Sequence, residues 1–163
     1  MKTFNDAAGR TWTLALNLGT AMAVKAKLDI DLLQPEQGEP PLLTRLGTDE
    51  MLLGEVLCAM LESQFEKQKV TDADVRNAFD GQTLLAAQKA FYEELIDFFR
   101  SCGRSDRAKA AAKQMQMIDA AVAAIETRID AIDVDQTIAQ ALPGVRGVMS
   151  GESPEASDSV PPT

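Results

Sequence analysis

Strict alternation between apolar and other residues occurs in a single run near the start of the chain. Trp12, Leu14 and Leu16 would lie on one side of an extended strand, with small or hydroxyl residues between them on the other side. The segment NDAAG, just before this run, holds the Asn, Asp and Gly that a chain reversal uses for side-chain hydrogen bonds and a positive φ. The pattern predicts a β-hairpin over about residues 3–16.

A two-stranded hairpin is only marginally stable in water, so this one needs support. Its apolar face, on which Phe4 would sit opposite Trp12, must lie on another part of the chain or on a partner. The rest of the chain is dominated by Ala, Leu, Met, Gln, Glu and Lys, which favour helix because they lose little side-chain freedom on a helical backbone. We therefore expect the hairpin to lie on helices.

Apolar periodicity and capping residues place the predicted helices at about residues 18–28, 49–68, 72–79, 83–99 and 106–142. Thr48 is the expected N-cap of the second helix, and Thr71 with Asp74 resembles a capping box for the third. Asp80 and Gly81 are expected to end that third helix. The proline-rich segment QPEQGEPP predicts a loop, and the five residues after it, LLTRL, predict a short turn.

The length and these elements together predict the fold class. A chain of 163 residues is expected to form one domain. The prediction is a mainly α fold: a single helical domain over residues 1–142, with a short N-terminal β-hairpin and a long C-terminal helix. Residues 143–163 are rich in Ser, Pro, Gly and acidic side chains, so this segment is predicted to be a disordered C-terminal tail.

The last predicted helix carries a narrow apolar seam at spacings of three and four residues. Its members are Met115, Ile118, Val122, Ile125, Ile129 and Ile132. The spacing is typical of a heptad repeat, so the helix could lie on its own helical domain or form one half of a helix pair with another protein. The intramolecular arrangement is favoured, because helices adjacent in sequence usually pack together.

The charge balance excludes some classes of partner. The formal net charge is −9 at pH 7, which argues against a general nucleic-acid binder because phosphate would be repelled. A basic cluster lies at the start of the last helix and consists of Arg100, Arg104, Arg107, Lys109 and Lys113. No aromatic residues alternate with it to stack on bases, so pairing with acidic groups of this chain or of a partner is preferred.

The residues offer little for catalysis or for metal binding. The chain has no histidine, which removes the usual general base and the commonest metal ligand. Cys58 and Cys102 lie far apart and do not form a metal-binding motif, and they indicate a reducing setting. No nucleotide-binding, nucleophile-elbow or zinc-protease motif is present. We therefore expect a binding protein without catalytic residues, cofactor or metal, and no membrane-spanning segment.

Several short motifs follow one another in the first two thirds of the chain. The N-terminal segment FNDAAGRTWTLAL has a Phe, a turn containing Gly and a strand containing Trp. After it come the segments KLDIDLL, MLLGEVLCAML, VTDADVRNAFDG and EELIDFF. In type and order these motifs resemble those of the tail assembly chaperones of long-tailed bacteriophages and prophages, and the resemblance covers about residues 4–99. After EELIDFF, the segment RSCGR departs from the family pattern, in which a Pro is expected soon after the paired Phe.

The resemblance implies a non-catalytic role in tail assembly. A chaperone of this family keeps the tape measure protein soluble and recruits tail tube subunits in the host bacterial cytoplasm, and it is absent from the mature virion. Chaperones of this family are commonly produced in a shorter and a longer form by a ribosomal frameshift. The implied partners are thus the tape measure protein and the tail tube protein, with no nucleic acid and no membrane.

For a client helix, the sequence offers the seam and Trp12 as candidate contacts. The hypothesis is that Ile118, Val122, Ile125 and Ile129 carry the client contact through helix-in-groove binding. Trp12 is a second candidate anchor, although a core position is favoured because large aromatic residues are usually buried. The alternative functions are a structural particle component, such as a head-tail connector or tail terminator, and, less favoured on charge, a regulatory adaptor.

Overall fold

The structure is a computed structural model that describes residues 1–142. These residues form a mainly α fold with an N-terminal antiparallel hairpin and a long helix near the C-terminal end, which confirms the predicted fold class. The chain divides into two compact units. The N-terminal unit is Met1–Val122, and the C-terminal unit begins at Ala123, of which residues 123–142 are described. The predicted disordered tail, residues 143–163, lies outside the described residues.

The elements follow one another in a simple order. They are β1 (Lys2–Asn5), β2 (Thr11–Leu14), α1 (Leu18–Leu28), α2 (Leu42–Thr48), α3 (Glu50–Leu61), a 3-10 turn (Glu62–Gln64), α4 (Phe65–Gln68), α5 (Asp72–Asn77), α6 (Gly81–Ser101), α7 (Ser105–Asp130) and α8 (Val134–Ala141). Most of α7, as far as Val122, belongs to the N-terminal unit.

The hairpin forms with the predicted register and the predicted faces. Strands β1 and β2 pair antiparallel, and Phe4 lies opposite Trp12. Trp12, Leu14 and Leu16 are all buried, whereas Thr13 and Ala15 between them are half-buried. Strand β1 packs on α6 and strand β2 packs on α3, so helices of the same chain support the hairpin as expected.

The side chain of Asp6 organises the turn of the hairpin. Its Oδ1 atom accepts hydrogen bonds from the backbone N–H groups of Ala8 and Arg10, at 3.0 and 2.9 Å. Its Oδ2 atom accepts from Trp12 Nε1 and from Arg10 Nε, both at 2.8 Å. Gly9 takes the positive φ, 78°, that the reversal needs. Burial by itself raises the pKa of Asp6, but the hydrogen bonds from Trp12 and Arg10 outweigh it and leave the pKa below its usual range.

Polar side chains of the helical part of the chain hydrogen-bond to the backbone of the second strand and of the residues just after it. The amide of Gln64 accepts a hydrogen bond from the Thr13 N–H group at 3.1 Å and donates one to the Thr13 carbonyl at 2.7 Å, as a neighbouring strand would. The buried Glu94 on α6 accepts a hydrogen bond from the N–H group of Leu16 at 2.8 Å. The backbone of an otherwise marginal hairpin is therefore paired on its helix side as well.

The core of the N-terminal unit lies between the hairpin, α1, α3 and α6. Helix α3 contributes an almost continuous buried stripe, and α6 contributes the side chains that face it. The sequence pattern also suggests Leu85 of α6 as a member of the apolar face of this helix, but Leu85 is 68% exposed. Helix α6 begins two residues before the predicted start, and Leu85 falls on its outer side.

Some predicted helix boundaries are confirmed and others are wrong. The capping box of Thr71 and Asp74 forms as predicted at the start of α5. Asp80 does not end α5 but caps α6, since it accepts a hydrogen bond from the Thr83 N–H group. Thr48 is not the cap of α3 because it is the last residue of α2, a helix where only a turn was predicted. Asp49 caps α3 instead.

The two longest predicted helices are interrupted in the structure. The predicted helix 49–68 is divided by the 3-10 turn into α3 and α4. The predicted helix 106–142 ends at Asp130, and a second helix, α8, begins at Val134. Asp133 accounts for the second break, because its side chain accepts a hydrogen bond from the N–H group of Gln136 and so starts a new helix.

Candidate partner-binding surface

The seven candidate contact residues fall into three environments. Trp12 is fully buried, and Met115 and Ile118 are partly buried against the core of the N-terminal unit. The other four, Val122, Ile125, Ile129 and Ile132, are each more than half exposed. The structure therefore does not bring the seven residues together on one accessible surface.

Trp12 belongs to the core and offers a partner no accessible surface. Its ring and that of Phe65 form a T-shaped pair with centroids 5.9 Å apart, and the guanidinium of Arg10 lies 5.9 Å from the Trp12 ring centroid. Its indole N–H group donates to Asp6. The core position that the sequence interpretation favoured for Trp12 accounts for all of these contacts.

The first part of the seam packs within the N-terminal unit. A side chain at Gly47 of α2 would place its Cβ atom 2.7 Å from Ile118 Cδ1 and 3.0 Å from the hydroxyl oxygen of Tyr92, so α2 approaches α7 closely at this glycine. The Tyr92 hydroxyl donates a hydrogen bond to the Leu43 carbonyl at 2.8 Å. Met115 and Ile118 thus follow the intramolecular alternative that the sequence interpretation favoured.

Two of the grooves on the surface of the N-terminal unit lie beside α7. One, of about 500 Å³, lies beside α2 and α7 and includes Pro35, Pro41, Leu43 and Met117 in its lining. The other, of about 640 Å³, lies between α6 and α7, and its apolar lining includes Leu85 together with Met115 and Ile118. The charged residues of both linings carry both signs, so neither groove selects a partner by charge.

The C-terminal unit presents its large apolar side chains to solvent. Ile125, Ile129 and Ile132 are 55 to 58% exposed, and together with Arg128 they line a shallow cavity of about 270 Å³. Three more apolar residues, Val134, Ile138 and Leu142, are 50 to 63% exposed. No residue in the described part of this unit, 123–142, is buried. We call these six residues the C-terminal apolar surface.

Sequence reasoning overlooked half of this surface. Val134, Ile138 and Leu142 were placed on a single helix whose seam was taken to end at Ile132. A signal for them was present, because they recur at a spacing of four residues immediately after Asp133, a good N-cap residue. The break in the helix at residues 131–133 could have been predicted from that cap.

Charged side chains border the apolar residues of this unit. Residues 123–142 contain four carboxylates, Glu126, Asp130, Asp133 and Asp135, and one cation, Arg128, which gives a net charge of −3. At about 100° of rotation per residue, Ile125 and Ile129 lie about 40° apart on α7. Glu126 and Asp130 then border this stripe on one side, and Arg128 borders it on the other.

The basic cluster of the N-terminal unit is largely engaged with groups of its own chain. Arg104 forms a bidentate pair with Asp106, and Arg107 bonds to the Leu33 carbonyl and to the carboxylate of Glu36. Arg100 lies near Asp97. These pairs match the preferred interpretation of the cluster as a partner for acidic groups.

Metal-binding side chains and the two cysteines are the remaining groups with chemical character in the described residues. Within residues 1–142, no three side chains of the His, Cys, Asp or Glu types come together as a metal site would require. Cys58 is buried, and its burial raises the pKa of the thiol, which disfavours the reactive thiolate. Cys102 is exposed. In the described part of the chain, the surface features with chemical character are therefore the grooves and the C-terminal apolar surface.

Comparisons with known proteins leave the resemblance to tail assembly chaperones as a prediction. Searches of the chain against protein families, curated proteins and solved structures found no match. Of the helices between residues 1 and 142, none combines the length and the apolar character needed to cross a bilayer.

Proposed function

We propose that this protein is a bacteriophage or prophage tail assembly chaperone that binds a helical segment of the tape measure protein without catalysis. The observation that carries the proposal is the C-terminal apolar surface, whose six large side chains are all half exposed or more. A partner helix can cover exposed apolar residues of this kind by laying its own apolar stripe against them. The motif resemblance over residues 4–99 supports the choice of family, and the exposure of these six residues supports this place of contact.

The size of the surface suits a contact that forms and is later released. Complete burial of a large aliphatic side chain contributes about 1.5 to 3 kcal/mol, so covering the exposed half of six contributes on the order of 5 to 9 kcal/mol. The loss of freedom on association consumes part of this gain. The expected affinity is therefore moderate. A chaperone that releases its client when the tail tube assembles requires such an affinity.

The proposal includes the other features implied by the resemblance. The tail tube protein is the second partner, the complex acts in the host bacterial cytoplasm, and the protein is absent from the mature virion. A structural particle component would instead be found in virions at a fixed copy number. Mass spectrometry of purified virions separates the two functions, since the chaperone proposal predicts that the protein is missing.

Co-expression with the tape measure protein tests the proposal directly. Ile125→Asp with Ile129→Asp places two charges on the exposed stripe, and the tape measure protein is expected to move from the soluble to the insoluble fraction. Leu18→Asp with Met22→Asp is the matched control, because these residues are also apolar, four apart and more than 60% exposed, but lie on α1. Unchanged client solubility with a folded Ile125→Asp, Ile129→Asp variant would rule out this contact.

The gene neighbourhood gives an independent check of the function itself. A tail assembly chaperone predicts a tube gene upstream, a tape measure gene downstream and a slippery heptamer near the 3′ end of the reading frame. If none of these is found, the chaperone function is wrong, whichever surface binds partners.

A further inference from the structure

The charges beside the C-terminal apolar surface are arranged in a way that helix stability does not explain. Glu126 and Asp130 are four residues apart on α7, where like charges repel across one turn. Asp130 is also the last residue of α7, at the negative end of the helix dipole. No ion pair joins either carboxylate to another side chain among residues 1–142.

The neighbouring acids of α8 have an ordinary structural reason. Asp133 caps this helix, and Asp135 lies in its first turn, where the helix dipole favours negative charge. The unexplained pair is therefore Glu126 with Asp130, on one edge of the stripe that Ile125 and Ile129 form. A cation from a partner at this edge would relieve both the repulsion and the unfavourable dipole contact.

We infer that the occupant of this surface is a partner helix whose apolar stripe carries Lys or Arg along one edge, the edge that faces Glu126 and Asp130. The inference rests on the proposed function, because it names the chemistry of the client segment for the same surface. A second copy of this chain fits less well. Its residues 123–142 carry four carboxylates and a single cation, so two surfaces of net charge −3 would face each other. Charge complementarity therefore selects a basic partner over self-association.

Two synthetic amphipathic peptides of about 20 residues, long enough for almost three heptads, test this inference. Both carry the same apolar stripe, but one has Lys and the other Glu along the same edge. Fluorescence anisotropy against the full-length protein is expected to show about tenfold tighter binding of the Lys peptide at low salt. The difference should shrink as ionic strength rises, because exposed charges are screened.

Charge reversal on the protein provides the matching test. The double variant Glu126→Lys, Asp130→Lys should lose the preference for the Lys peptide or reverse it. Its fold should be kept, since Lys suits the end of a helix, and circular dichroism verifies this. The control is Glu55→Lys with Glu66→Lys, two exposed acids on helices of the N-terminal unit, which should leave the preference unchanged.

Three results would overturn the inference. They are equal binding of the two peptides, no binding of either peptide, and self-association of the protein that Ile125→Asp with Ile129→Asp abolishes. None of these results would by itself refute the chaperone function. If co-expression still keeps the tape measure protein soluble, that protein binds through another surface or through uncharged contacts. If instead the peptides discriminate as expected but the tape measure protein is not held soluble, the surface chemistry stands and the assigned client is wrong.

Discussion

In α3, apolar residues at helical spacing are buried almost without exception, whereas in the C-terminal unit residues of the same kind and spacing are half exposed or more. The difference arises from neighbours, because α3 is covered by α1, α2, α6 and the hairpin. In the described part of the C-terminal unit, no side chain is buried. A helical repeat of apolar residues therefore shows that a face needs covering, but it does not say whether the cover comes from the same chain or from a partner.

The largest expected effect is the loss of stability when Trp12 is truncated. Trp12→Ala should lower the free energy of unfolding by about 3 to 5 kcal/mol, because it opens a cavity and leaves Asp6 without one of its donors. Ile129→Ala in the C-terminal unit should change it by less than about 0.5 kcal/mol. Urea titration followed by circular dichroism measures both. Equal losses for the two variants would contradict the difference between the units.

The hairpin and its supporting helices were predictable because several local signals agree there. The alternation of apolar and other residues predicts the buried face of β2, and the NDAAG segment predicts the turn. The cap at Thr71 predicts the start of α5. The special role of Asp6 was only partly predictable. Its type suits a turn, but its bond to the Trp12 indole depends on how the strand folds back.

The candidate surface was less predictable, because burial depends on residues distant in sequence. Met115 and Ile125 belong to the same heptad pattern, yet the first packs on the core and the second is exposed. The segment that forms α2 is short and follows a proline-rich loop, which is why its sequence predicts a turn. The hydrogen bond from the Tyr92 hydroxyl to the Leu43 carbonyl helps to stabilise this helix, and no local sequence pattern encodes that bond. The start of α8 lies inside the single helix predicted for residues 106–142, and its local signal is the Asp133 cap.

The buried carboxylate of Asp6 predicts a pH dependence that belongs to the N-terminal unit. The pKa of Asp6 is lower in the folded protein than in the unfolded chain, where it is near 3.8. Its contribution to folding stability is therefore fully present above pH 3.8 and is lost as the pH falls through the lower pKa of the folded state. Asp6→Asn should cost about 1.5 to 3 kcal/mol at neutral pH, and the cost should shrink in acid below the unfolded value. Urea midpoints of both proteins across this range measure it, and a cost independent of pH would contradict the assigned role.

Alanine substitutions at two glycines test how closely the helices pack inside the N-terminal unit. Gly47→Ala should destabilise by about 1 to 2 kcal/mol, since the added methyl meets Ile118 and the fixed Tyr92 hydroxyl. Gly54→Ala on α3 meets no atom within 4 Å and should stabilise by up to about 1 kcal/mol through helix propensity. Thermal unfolding of the two variants measures the opposite signs. Stabilisation by both would show that α2 and α7 are not closely packed.

The smallest expected effect is a local one in the C-terminal unit. Asp133→Ala removes the cap of α8 and should cost that helix about 1 kcal/mol, without changing the stability of the N-terminal unit. Amide hydrogen exchange should therefore become faster in residues 134–141 and remain unchanged in α3. Asp133→Asn, which also caps helices well, is the control and should leave both regions as they are.

Site-specific photo-crosslinking tests the central claim most directly. A photoreactive amino acid replaces Ile129 on the C-terminal apolar surface in one protein and Met22 on α1 in another, and each is expressed with the tape measure protein. Both positions carry exposed apolar residues, so they differ in location rather than in accessibility. The account predicts a crosslink to the tape measure protein from position 129 and none from position 22. Equal crosslinking from both positions, or from position 22 alone, would contradict it.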